Sequence, residues 1–169
     1  MDHKESPQEL ISPIIKLFFS GQLQEALNDV ETLINDFPNE PLFFNICGVF
    51  YKEIGQLDEA VKRFKKALTI NPEYAEVHNN LGVTLQNLGL MDKAVKSYEK
   101  AIAFKPDYAE AHNNLGVTLQ NLGLMDKAVK SYEKAIAFKT DYAEALNNLG
   151  NIFKELKQLD AAVKSYEKV

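Results

Sequence analysis

A stretch of 28 residues, His78 to Lys105, recurs letter for letter as His112 to Lys139, an offset of 34. Self-similarity at this period, carried on a helical pattern, restricts the chain to a stack of helical hairpins. Each hairpin buries its apolar face on its neighbours. The repeat also restricts chemistry, because a residue that returns once per unit serves the stack before it serves catalysis.

The 34-residue frame extends outward from the copy. Alanines fall at Ala26, Ala60, Ala94, Ala128 and Ala162, and glycines at Gly48, Gly82, Gly116 and Gly150. Small residues in these two series mark where the two helices of a hairpin approach closely. A second glycine series, Gly21, Gly55, Gly89 and Gly123, marks the turn between them. Pro38, Pro72 and Pro106 stop the second helix, and Thr140 breaks that series, so the structure is expected to be least ideal there and in the truncated final helix. Val77, Leu81, Leu85 and Leu88 are spaced for one buried helical face, and Met91, Val95, Tyr98, Ile102 and Phe104 line a second helix. Asp107 with Glu110, and Asp141 with Glu144, have capping-box spacing. Strand signals are absent, so the fold class is an all-α solenoid.

The spacing resembles the tetratricopeptide repeat (TPR). That motif asks for a large residue, Leu-Gly, an aromatic or Leu, Ala, an aromatic, Ala and Pro. Phe44, Cys47, Gly48, Tyr51, Ala60, Phe64, Ala67 and Pro72 match it, as do His78, Leu81, Gly82, Leu85, Ala94, Tyr98, Ala101 and Pro106. The resemblance implies a right-handed superhelical solenoid of stacked antiparallel helix hairpins. Its units are 41–74, 75–108, 109–142 and 143–169, the last ending inside its second helix. Residues 7–40 read as a degenerate copy after a tail at 1–6, with Pro13 and Ile14 at the expected Leu-Gly position. Two helix-start signals compete there, Ser6-Pro7-Gln8-Glu9 and Ser12-Pro13.

Formal net charge is −5, against a nucleic-acid partner, whose phosphates need clustered Lys and Arg. Cys47 is the single cysteine, so no intrachain disulfide forms. No apolar run approaches the roughly 18 residues that span a bilayer, and the start lacks a signal-peptide pattern. A cytoplasmic location is the expectation, without membrane insertion.

First helices of TPR hairpins line the concave side. By resemblance, the binding surface is expected at Asn79, Asn80, Val83, Gln86 and Asn87, then at Asn113, Asn114, Val117, Gln120 and Asn121. Asn147, Asn148 and Asn151, with Lys154 and Glu155, continue it. An amide offers donors and an acceptor together, which suits a peptide main chain. Asn80, Asn114 and Asn148 also match the asparagine ladder in the TPR arm of O-GlcNAc transferase. Glu76, Glu110 and Glu144 form an acidic rim that would repel the acidic tail a chaperone-binding carboxylate clamp holds.

His78 and His112 stand where the motif has a large packing residue; without a third ligand they are expected to pack, not to bind metal. Cys47 is expected to pack as a small hydrophobe. Neither a nucleophile arrangement nor a phosphate loop can be assembled, so a non-catalytic chain without cofactor is expected. The leading reading is a scaffold that binds an extended peptide or partner protein. The alternatives are self-association, by domain swapping or through an uncapped end around Val163, Tyr166 and Val169, and the arm of a larger enzyme such as a transferase.

Overall fold

The computed structural model describes residues 6–166, with side chains described as far as 157. Val163, Tyr166 and Val169, expected to form an apolar end, therefore lie outside the described side chains. Among the described residues there are nine helices and no strand. They are α1 (Pro7–Phe19), α2 (Leu23–Asp36), α3 (Pro41–Glu53), α4 (Leu57–Ile70), α5 (Ala75–Asn87), α6 (Met91–Phe104), α7 (Ala109–Asn121), α8 (Met125–Phe138) and α9 (Ala143–Tyr166). The chain divides into two compact units, Met1–Leu90 and Met91–Val169.

In the first unit the chain enters through a realised capping box. Glu9 N donates to Ser6 Oγ at 3.3 Å, and Ser6 N donates to Glu9 Oε2 at 2.7 Å. The first of the two start signals is the one used, and Pro13 lies inside α1. The hairpins α1–α2 and α3–α4 pack in succession, with α5 against α4. Phe18 of α1 and Phe50 of α3 stack with ring centroids 4.1 Å apart. Phe43 and Phe64 are fully buried beside them in sequence register.

The close approach inside a hairpin has a measurable cause. A Cβ on Gly48 would lie 2.7 Å from Cε1 of Phe64, and one on Gly116 would lie 2.6 Å from Cε1 of Tyr132. The aromatic ring of the second helix rests directly on the backbone of the first. Tyr132, with Leu119, Ala128, Ala135, Ala145 and Ile152, forms the core of the second unit. Burial pushes its phenol up to about 12.

The turn glycines carry positive φ, 79° at Gly55 and 74° at Gly123, where an L side chain costs about 1–2 kcal/mol. The same register position in the last copy is Lys157, and no turn forms there. Helix α9 runs unbroken from Ala143 to Tyr166, which corrects the expected two-helix fourth unit. Without an α-left residue the backbone keeps its i to i+4 bonds and the hairpin does not close. Among the described residues, a Cβ on Gly150 would consequently meet nothing within 4 Å, although its series was expected to mark a close helix approach.

Two further expectations are corrected. Thr140 does not weaken the end of α8, which stops at Phe138 with Lys139 extended and its N–H bonded to the Ala135 carbonyl. Pro106 and Thr140 follow the same turn. Tyr108 N donates to the Lys105 carbonyl and Tyr142 N to that of Lys139, both at 3.1 Å. The second correction concerns the start of α7. Its N-cap is Tyr108, which has no side-chain cap bond, so Asp107 lies one residue too early for a capping box.

Gly116→Ala should lower stability by about 1–3 kcal/mol, because the Tyr132 ring cannot retreat from a new Cβ. Gly150→Ala should raise it by about 0.5–1 kcal/mol through helix propensity alone. Urea denaturation of both variants beside the parent separates these signs.

Candidate interaction surface

The first helices α3 and α5 of one unit, and α7 and α9 of the other, carry the asparagine pairs. The two members of a pair have different environments. Asn79 and Asn113 are buried, at 1% and 0% exposure, so they cannot themselves face a ligand. Asn80, Asn114 and Asn148 are half-buried, as are Val83, Gln86, Val117 and Gln120. Asn87, Asn121, Asn147 and Asn151 are exposed, with Lys154 and Glu155. A helical advance of about 100° per residue separates neighbours in sequence, which is enough to put one amide inside and the next at the edge.

The buried amide of Asn113 is hydrogen-bonded to the next first helix of its unit. Asn113 Nδ2 donates to Glu144 Oε1 at 3.0 Å, and Asn113 Oδ1 accepts from Asn148 Nδ2 at 3.2 Å. The first unit repeats the motif two registers earlier. Asn45, also buried, accepts from Asn80 Nδ2 at 3.0 Å. Asn45 was missed in the sequence reading, yet it stands 34 residues before Asn79 and could have been found by running the asparagine series backward.

Of the acidic rim, Glu144 is tied down by Asn113, Glu110 is exposed, and Glu76 is half-buried. Gln120 Oε1 accepts from the Tyr132 hydroxyl at 3.0 Å, joining the surface to the ring that closes the α7–α8 hairpin. Among the described residues, no buried side-chain polar atom lacks a hydrogen bond.

His78 and His112 are buried and clasp the loop that precedes their own helix. His78 Nε2 donates to the Pro72 carbonyl at 2.8 Å and His112 Nε2 to that of Pro106 at 2.9 Å. The His112 ring also stacks on Phe138, with centroids 5.6 Å apart. Among the described residues no group of three His, Cys, Asp or Glu could hold a metal ion. Cys47 is buried, and burial followed by the nearby Glu31 carboxylate pushes its thiol up to about 12, so it stays protonated and unreactive at neutral pH. No described helix is long and apolar enough to cross a membrane.

The family described as "TPR repeat" matches residues 48–89 and 91–123, and "Tetratricopeptide repeat" matches residues 76–105, 109–142 and 143–169. The chain belongs to the tetratricopeptide repeat family. No significant match was found among curated proteins. Among solved structures, the chain is similar to "Crystal structure of MamA" at 27% identity and TM-score 0.78, covering 90% of each chain. It is also similar to "MamA 41-end from Desulfovibrio magneticus RS-1" at 20% identity and TM-score 0.77, covering 92% of this chain and 88% of that one. "First TPR of Spaghetti (RPAP3) bound to HSP90 peptide SRMEEVD" shares the fold at 24% identity and TM-score 0.68, covering 70% of this chain and 94% of that one. An array of this class is a protein-interaction scaffold.

Burial holds the His112 pKa below the ordinary value of 6.5, with the Pro106 bond opposing and Lys134 assisting. The unfolded ring then takes up a proton before the folded one does. Stability from this residue is complete above about 6.5, falls as pH drops to the lower folded value, and is flat below it. His112→Leu, which copies Leu146 at the next register position, should remove that part of the pH slope in urea titrations.

Proposed function

We propose that the chain binds an extended segment of a partner protein along the first helices within each compact unit, reading its main chain with half-buried amides. The observation that carries this reading is the division of labour within the asparagine pairs. Asn113, fixed in the core, holds Asn148 and Glu144 in set positions at the surface. Preorganised polar groups bind without a further ordering cost. Asn80 is held in the same way by Asn45. Each held amide keeps an oxygen and one N–H for a ligand.

Adjacent helices lie about 8–10 Å apart and an extended chain rises about 3.3 Å per residue, so successive amides meet every third ligand residue or so. Each bond adds only about 1 kcal/mol net, which gives modest affinity that grows with the number of repeats engaged. Val117 supplies apolar contact between the amides. The glutamates at 76, 110 and 144 favour a neutral or basic segment, in contrast to the acidic peptide in the RPAP3 structure.

Self-association is a second reading, favoured by one observation. Among the described residues no second helix folds back on α9, and Leu146 and Phe153 are each 46% exposed. Light-scattering mass across a wide concentration range tests it, and a constant monomer mass would reject it.

For the main reading, a random-sequence peptide library provides the ligand. The best binder should lose affinity on main-chain N-methylation and on Asn80→Ala/Asn148→Ala, with the circular dichroism of the protein unchanged. Affinity indifferent to N-methylation would reject main-chain recognition.

A further inference from the structure

The 34-residue register aligns Arg63 of α4 with Ser131 of α8, Tyr51 with Leu119, and Glu31 with Glu99. In the first unit these positions fill the space between the second helices α2 and α4. Arg63 Nη2 pairs with Glu31 Oε1, Tyr51 OH donates to the same oxygen at 3.4 Å, and the guanidinium lies 5.8 Å from the Tyr51 ring centroid. The second unit has nothing to fill the corresponding space. Ser131 Oγ turns back to donate to the Lys127 carbonyl at 3.0 Å, and Glu99 has no ion pair or hydrogen bond among the described residues. A cavity of about 650 Å³ opens between α6 and α8, with Leu115 and Leu119 among its lining residues. A second, of about 240 Å³, shares Glu99, Leu115, Lys130 and Ser131 with it and reaches His112.

The walls of this groove differ in charge. Lys127, Lys130 and Lys134 follow one another at i, i+3 and i+7 on α8, all exposed and none ion-paired among the described residues. Asp92 and Glu99 stand on the α6 wall, with Lys96 between them. The groove therefore combines an apolar floor with one uniformly basic wall.

We propose that this groove is a second binding site, for an acidic amphipathic helix of a partner protein. Its apolar side chains cover Leu115 and Leu119, and its carboxylates face Lys127, Lys130 and Lys134. Three lysines spread over seven residues span about 10 Å, the reach of two turns of a partner helix laid along α8. Asp92 and Glu99 repel the same carboxylates, which fixes the acidic edge of the partner toward α8. The site is separate from the first-helix face and does not depend on what binds there.

The test uses a fluorescein-labelled peptide of repeated Glu-Leu-Leu-Glu-Glu-Ala-Leu heptads, with a second version carrying lysine for every glutamate. The full chain should bind the glutamate peptide, with affinity falling as salt rises. Ser131→Arg, which copies the filled first unit, should weaken binding by at least roughly tenfold, and Lys127→Glu/Lys130→Glu/Lys134→Glu should transfer preference to the lysine peptide. Asn147→Ala/Asn151→Ala should leave binding unchanged, which separates this site from the first-helix face. Amide shift mapping on the unsubstituted chain reads the same site without any substitution, and should centre on Leu115, Leu119 and Lys130. Equal binding by Ser131→Arg in folded form, preference of the unsubstituted chain for the lysine peptide, absence of binding, or shifts confined to Asn147, Asn148 and Asn151 would each overturn the proposal.

Discussion

A primary amide taken out of water must find partners, and in this chain it finds them on the next repeat. Asn113 is fully buried and holds Asn148 and Glu144; Asn45 holds Asn80 in the same way. An unsatisfied buried polar group costs about 1–3 kcal/mol, so a slip of one first helix along its neighbour is penalised at each such site. Hydrophobic contacts alone are non-directional and tolerate small slides. The amide contacts set the register, and the register decides which side chains reach the surface together.

Within a hairpin the decisive contact is apolar. The ring of Phe64 or Tyr132 lies on a glycine backbone too close for any Cβ, and this contact depends on the turn that brings the second helix back. The turn in its turn depends on a residue that accepts positive φ. Where Lys157 replaces glycine, the chain stays helical, a Cβ on Gly150 would meet no described neighbour, and the apolar face of α9 is left partly open at Leu146 and Phe153. One missing glycine thus changes the element, its packing and its exposed chemistry together.

The all-α class and the two-helix plan of the repeated unit were legible in the sequence, because apolar spacing, turn glycines and the 34-residue period agree with one another. The unbroken α9 was legible only in part. Lys157 stands where the glycine series stops, but a repeat frame invites continuation of the pattern, not attention to the backbone angle it requires. Thr140 shows the opposite case: a lost proline changed nothing, since the Lys139–Tyr142 turn reproduces Lys105–Tyr108. The division within the asparagine pairs was not legible, because sequence puts Asn113 and Asn114 side by side and only burial separates them. The groove between α6 and α8 was hidden for a similar reason. It arises from what Ser131 and Leu119 fail to fill, and an unfilled volume has no letter of its own.

The central claim is that the buried amide couples one first helix to the next. Asn113→Ala and Asn148→Ala, made singly and together and followed by urea denaturation, measure that coupling directly. A coupling free energy of about 1 kcal/mol is predicted, the double variant losing less than the two single losses combined. Additive losses, agreeing within about 0.3 kcal/mol, would contradict it.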